Sequence, residues 1–193
     1  MISYEQPFWK KNELVLGIDE AGRGPLAGPL VVAGVVLNQD DLNFDITDSK
    51  KISEKKRNQL FEWILENALW TKILVIDEKT IDQENIYQAT KNGMKQIALS
   101  IEVSCVLSDA MPFELENTEV ISLIKGDQKS LSIAAASILA KVTRDEIMKE
   151  YDKLYPKYGF ARHKGYPTKA HYEAIKEYGV LGIHRLSYKL FRD

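Results

Sequence analysis

The chain has a single cysteine, Cys105, so an intramolecular disulfide is excluded, and a cysteine-based zinc site with it. Histidine is almost as scarce. His163, His171 and His184 lie scattered in the C-terminal stretch, where surface or hydrogen-bonded roles are the simplest reading. No run approaches about 18 uncharged apolar residues, which argues against a membrane span. The opening MISYEQPFWKKNEL lacks the apolar core of a secretion signal. Cys105 itself sits in VSCVLS, which reads as a buried strand, and a cytoplasmic location fits all of these absences. Overall positive charge is missing too. A net charge of −2 and an isoelectric point near 6.0 weigh mildly against a nucleic-acid binder.

The charge is unevenly spread. From Pro156 onward, Lys157, Arg162, Lys164, Lys169, Lys176, Arg185, Lys189 and Arg192 face only Glu173, Glu177 and Asp193. An acidic body beside a basic strip suits a metal site next to a phosphate track. A random surface distribution explains the charges alone equally well. The 193 residues suffice for one core. We read residues 1–193 as one domain, with about 156–193 forming a basic, helical extension.

Strands are expected at 13–18 and 29–37, joined as an antiparallel pair by a Gly/Pro loop. Ser53 is expected to cap a helix in which Leu60, Phe61, Ile64, Leu65 and Leu69 fall at helical spacing. Further strands are expected at 71–76, 103–108 and 120–124. A helical segment starts at Thr80, a long helix at Ser132, and a last helix spans about 168–178. The order gives a mixed α/β sheet of about five strands covered by helices.

Asp19, Asp109 and Asp127 each lie at or just past the end of an expected strand, where open α/β sheets gather functional groups. Singly, each has an ordinary reading: Asp19 capping loop backbone, Asp109 starting a turn before Pro112, Asp127 as a turn acid in KGDQKS. Together, and with Glu20, they suggest a metal site. Converging carboxylates repel unless a cation joins them, and hard oxygen donors select Mg²⁺ or Mn²⁺. Two such ions about 4 Å apart suit displacement at phosphorus. Neighbours on a strand point to opposite faces, so Asp19 and Glu20 share a site only if the strand ends there or one offers its carbonyl. The Ala-Gly-Arg-Gly that follows favours an early end. Gly22-Arg23-Gly24 offers bare backbone for phosphate or hydroxyl oxygens, or is simply a hairpin loop needing positive φ. In GFARHKGYPTKAH, Phe160 and Tyr166 alternate with Arg162, His163 and Lys164, either as a nucleic-acid contact or as a packed loop.

The segments GIDEAGRGPLAGPLVVAGVVL, DSKKIS, KGD, SIAAASILAKVTRD, YPKYGFARHKGYPT and HRLSY resemble, in order and over nearly the whole chain, the type 2 ribonuclease H family, specifically bacterial ribonuclease HII. The resemblance implies a ribonuclease H-like fold: a mixed sheet of about five strands flanked by helices, with a C-terminal helical segment. It implies two-metal endonucleolytic hydrolysis of RNA in RNA/DNA hybrids and incision 5′ of single ribonucleotides in duplex DNA, with Mn²⁺ or Mg²⁺. Asp19, Glu20, Asp109 and Asp127 then correspond to the catalytic metal ligands. Gly22, Arg23 and Gly24 correspond to the reader of the ribose 2′-hydroxyl, and Tyr166 to the residue that stacks on the sugar. Lys50 and Lys164 are further substrate-contact candidates. Asp145 reads more simply as an exposed helix acid than as a fifth metal neighbour.

Two departures stand out. Ser108-Asp109-Ala110 replaces the usual Val-Asp-Gly, and Tyr188 replaces the usual Phe, read as a packing change. Arg23 and the short N-terminus argue against the sister type HIII. The ending LFRD is too poor a match for a sliding-clamp motif, and a monomer acting on hybrid or ribonucleotide-containing duplex, away from membranes, is the expectation. A binding module without catalysis and a phosphoesterase for another substrate remain as alternatives.

Overall fold

Residues buried on both faces mark the centre of the sheet. In the computed structural model, which describes residues 1–191, β1 is Val15–Ala21 and β2 is Leu30–Val36, with every β2 residue buried. β3 (Trp70–Ile76), β4 (Cys105–Asp109) and β5 (Glu119–Leu123) complete a five-stranded sheet in the order β3-β2-β1-β4-β5. The β1–β2 and β2–β3 pairs are antiparallel, and the β1–β4 and β4–β5 pairs are parallel. The helices are α1 (Gln6–Trp9), α2 (Glu54–Asn67), α3 (Glu78–Glu84), α4 (Ile86–Ala98), α5 (Leu131–Leu154), α6 (Phe160–His163) and α7 (Lys169–Tyr178). Arg192 and Asp193, the end of LFRD and two charges of the C-terminal stretch, lie outside the described residues.

Alternation along β2 divides the core. Val31, Ala33 and Val35 pack with α5 and α2 residues such as Leu139, Leu60 and Ile64. Leu30, Val32 and Val36 pack with Met94 and Ile97 of α4 on the other face. The first half of α5 is apolar nearly all round and is buried accordingly. Its approach to β1 is so close that a Cβ on Gly17 would lie 2.2 Å from the Ser132 carbonyl carbon, which requires glycine there. Leu26, Ala27, Met148, Phe160 and Ile175 form a third cluster beneath the C-terminal helices. Among the described residues, no helix is long and apolar enough to cross a membrane.

The element order follows the sequence expectation, with corrections. β1 does not end at Ile18: Asp19, Glu20 and Ala21 still pair with Ala33, Val32 and Val31. The expected helix from Thr80 is two helices. Asp77 caps α3, and Asn85 at φ 65 breaks the chain and caps α4. Ser130, not Ser132, caps α5 by accepting from the Ile133 N–H. In α2, Leu60 and Ile64 are buried but Leu65 is exposed, and Leu69 lies beyond the helix end, also exposed. The short helices α1 and α6 carried no periodic signal, because one turn is too short to show one.

Candidate active site

Parallel pairing sets the first two acids side by side. Ile18 on β1 is in register with Ser108 on β4, so the next residues, Asp19 and Asp109, stand at the same level of the sheet. A 3₁₀ turn at Gly126–Gln128, just past β5, carries Asp127 next to them. Asp19, Glu20, Asp109, Gly22, Arg23, Gly24, Lys50 and Tyr166 line one cleft of about 370 Å³, together with Ser49, Ser137 and Lys141. Strand alternation puts Asp19 on the α5 face of β1 and Glu20 on the face of Leu16 and Ile18. The cleft lies over the end of the strand, so both residues line it although the strand continues through them.

Asp19 and Asp127 are buried, Glu20 and Asp109 half-buried, and the acids are close enough to disturb one another. Burial, then the charges of Glu20 and Asp109, push the Asp19 carboxyl well above the usual carboxylate range. Burial raises Glu20 to about 7, with Asp109 adding to the effect and Arg23 and Lys50 opposing it. Asp109 is raised by burial and by Asp127, against the hydrogen bond it accepts from the Gly126 N–H at 2.7 Å. Each acid also takes a local partner. Glu20 lies 3.7 Å from the Arg23 guanidinium, and Asp127 accepts from Lys50 Nζ at 3.4 Å. Among the described residues, no three His, Cys, Asp or Glu side chains are grouped closely enough to enclose an ion. The donor chemistry nonetheless fits a hard divalent cation. It is all carboxylate oxygen, it is destabilised by its own charge, and Glu20 Oε2 is buried with no hydrogen-bond partner.

Other sequence expectations fare unevenly. Lys50 reaches the cleft, whereas Lys164 is not among its lining residues and donates to the Ala161 carbonyl instead. Asp127 does not line the cleft directly; it is buried and joined to it through Lys50. Asp145 is not an exposed helix acid. It is buried, 2.6 Å from Lys141 Nζ and 3.8 Å from Arg57. The three histidines are not scattered. The rings of His163 and His171 stack at 4.5 Å, and His171 Nε2 meets His184 Nε2 at 3.1 Å. They support the Tyr166 loop: His171 Nδ1 pairs with the Tyr166 carbonyl and His163 Nδ1 accepts from the Gly165 N–H.

Two buried arginines escaped the sequence reading. Arg144 donates to the carbonyls of Pro29, Lys164 and Ala27, and its guanidinium lies 5.9 Å from the Tyr166 ring centre. Arg185 donates to the carbonyls of Gly22, Arg23 and Gly28. Gly22 packs on Arg144, where a Cβ would lie 2.2 Å from Nε, and its φ of +102 suits glycine alone. Both arginines sit inside quoted motifs, but nothing in a sequence marks an arginine as buried when its partners are main-chain carbonyls.

A family model described as Ribonuclease HII matches residues 16–191 of the chain. Ribonuclease HII of Lactobacillus acidophilus is 51% identical over 192 residues, covering 98% of this chain and 76% of that protein. Ribonuclease HII of Francisella tularensis subsp. mediasiatica is 54% identical over 180 residues, covering 91% and 95%. Among solved structures, the PCNA:RNase HII complex from Archaeoglobus fulgidus includes a chain that superposes with a TM-score of 0.80 at 28% identity, covering 93% of this chain and 97% of that one.

Proposed function

The chain belongs to the ribonuclease HII family of metal-dependent endonucleases, which hydrolyse the RNA strand of RNA/DNA hybrids, and from that premise we propose that it also incises duplex DNA on the 5′ side of single embedded ribonucleotides. The products are a 3′-hydroxyl and a 5′-phosphate. One observation carries the reading: Asp19, Glu20 and Asp109 line the same cleft as the Gly22–Gly24 backbone, with Tyr166 at its wall. Groups suited to phosphodiester hydrolysis thus lie beside groups suited to reading a ribose.

Asp19, Glu20, Asp109 and Asp127 would hold two divalent ions, Mg²⁺ or Mn²⁺. Such ions supply activation of water and charge stabilisation at phosphorus. The protein's own part is placement. Asp19 and Asp109 are fixed by strand register, and Glu20 by the same strand. Backbone of Gly22, Arg23 and Gly24 meets the 2′-hydroxyl, the atom that separates RNA from DNA. Tyr166, 42% exposed, stacks on the sugar beside the cut. Lys50 meets a phosphate, and residues from about 156 onward form the basic extension of one catalytic domain.

The test compares three duplexes: one with a single ribonucleotide, an RNA/DNA hybrid, and all DNA. Cleavage of the first two and not the third supports the reading; equal cleavage of all three would sink it. Tyr166→Ala should lose about tenfold or more in kcat/KM, and Tyr166→Phe much less, since stacking is worth about 1–3 kcal/mol and needs no hydroxyl.

A further inference from the structure

The loop that lines the cleft is held from behind by the last motif of the chain. Arg185 is fully buried. Its Nη2 donates to the Gly22 carbonyl at 2.6 Å and to Gly28 at 2.8 Å, and its Nη1 donates to the Arg23 carbonyl at 3.1 Å. Tyr188 closes the same contact. Its hydroxyl donates to the Arg23 carbonyl at 2.7 Å and accepts from Arg185 Nη1 at 3.2 Å, while its ring lies 5.2 Å from the guanidinium carbon. The sequence alone reads Tyr188 as a packing substitute for phenylalanine, yet its hydroxyl is fully used. The clamp is itself anchored: the N–H groups of Leu186 and Ser187 both donate to the Asp82 carboxylate of α3 at 2.9 Å.

We propose that Arg185 and Tyr188 are positioning residues for ribose recognition, an inference that rests on the Gly22–Gly24 loop reading the 2′-hydroxyl. Among the described residues there are no cis peptide bonds, and in a trans unit the C=O and the following N–H point oppositely. Drawing the Gly22 carbonyl inward therefore turns the Arg23 N–H outward, and drawing in the Arg23 carbonyl turns out the Gly24 N–H. Among the described residues, neither N–H donates to any protein group. The guanidinium fork and the phenol thus set the direction of two donors that they never touch. The Tyr188 hydroxyl adds a second bond to the carbonyl whose peptide carries the Gly24 N–H.

The test measures binding of a one-ribonucleotide duplex and of the matching all-DNA duplex in Ca²⁺, by fluorescence anisotropy, with thermal melting of each variant. Tyr188→Phe should lower the ribose preference by about threefold to tenfold, the worth of one hydrogen bond, with affinity for the all-DNA duplex unchanged. Arg185→Lys, which keeps the charge and loses the fork, should lower it by about tenfold or more. A lowered melting temperature with an unchanged preference in Tyr188→Phe would overturn the inference, and that variant decides the matter even if Arg185→Lys fails to fold. Wild-type protein that binds both duplexes equally would instead overturn the ribose-reading role of the loop.

Discussion

Two sets of buried charges face each other across the Gly22–Pro29 loop, and the protein treats them in opposite ways. Arg144 and Arg185 are almost wholly buried, yet each donates to at least three acceptors, nearly all of them main-chain carbonyls. Burial lowers Arg144 to about 10, which still leaves it charged at neutral pH. Asp19 is buried and Glu20 half-buried; both crowd other carboxylates, and one Glu20 oxygen has no partner. The arginines are fully satisfied from within the chain, and the acids are not. Saturation therefore separates a structural buried charge from a functional one better than burial does.

The comparison can be broken most directly at Asp19. Asp19→Asn should reduce cleavage of a one-ribonucleotide duplex on the order of a thousandfold, since metal-held charge stabilisation is worth several kcal/mol. Its melting temperature should hold or rise, because the replaced carboxylate is one that burial and its neighbours disfavour. Adding Mn²⁺ or Mg²⁺ should raise the melting temperature of the wild type and not of this variant. A marked loss of stability in Asp19→Asn would make the acid structural after all.

Arg144→Ala is the converse. It strands three carbonyls and should cost about 3–5 kcal/mol in denaturant unfolding. A near-neutral result would mean that water replaces the guanidinium and that the arginine is not a keystone of the loop.

The histidine cluster offers a third, smaller contrast, because these buried groups are held neutral. Burial lowers His171 from 6.5 to about 4, and His163 and His184 are lowered as well. The unfolded chain therefore takes up protons that the folded chain refuses. The histidines' contribution to stability should be complete above about pH 6.5 and decline as the pH falls toward 4, opposite in sign to that of the raised acids Asp19 and Glu20. Melting curves across that window check it, and His171→Phe should flatten the decline.

The smallest effect concerns Ala110, which follows Asp109 and has φ 47, a left-handed conformation that costs an alanine about 1–2 kcal/mol. Glycine adds unfolded-state entropy, so Ala110→Gly should gain at most about 1 kcal/mol in chemical denaturation. No gain would show that the turn relaxes around alanine without strain.

Much of this was readable in the sequence because it rests on local rules. The Ser53 cap and helical spacing placed α2 to within two residues, and the expected last helix matches α7 to within one; the expected strand ends drew attention to Asp19 and Asp109, although β1 runs on through Asp19. The continuation of β1 past Asp19 was not readable, because pairing with Ala33 and Val32 is a long-range fact that the glycines downstream disguise. The same limit applies to Asp145, whose partner Arg57 lies on another helix, and to the histidines, which meet only when α7 folds over α6. The Tyr188 hydroxyl looked dispensable for a like reason: its acceptor lies 165 residues away.

That separation has a consequence in time. β1 and β2 can pair as soon as the first hairpin exists, which sets out Asp19 and Glu20 early. The loop between the same two strands cannot take its working shape until residues 185 and 188 have been made and docked. A growing chain thus holds both strands that flank the loop long before the residues that fix the loop's shape exist.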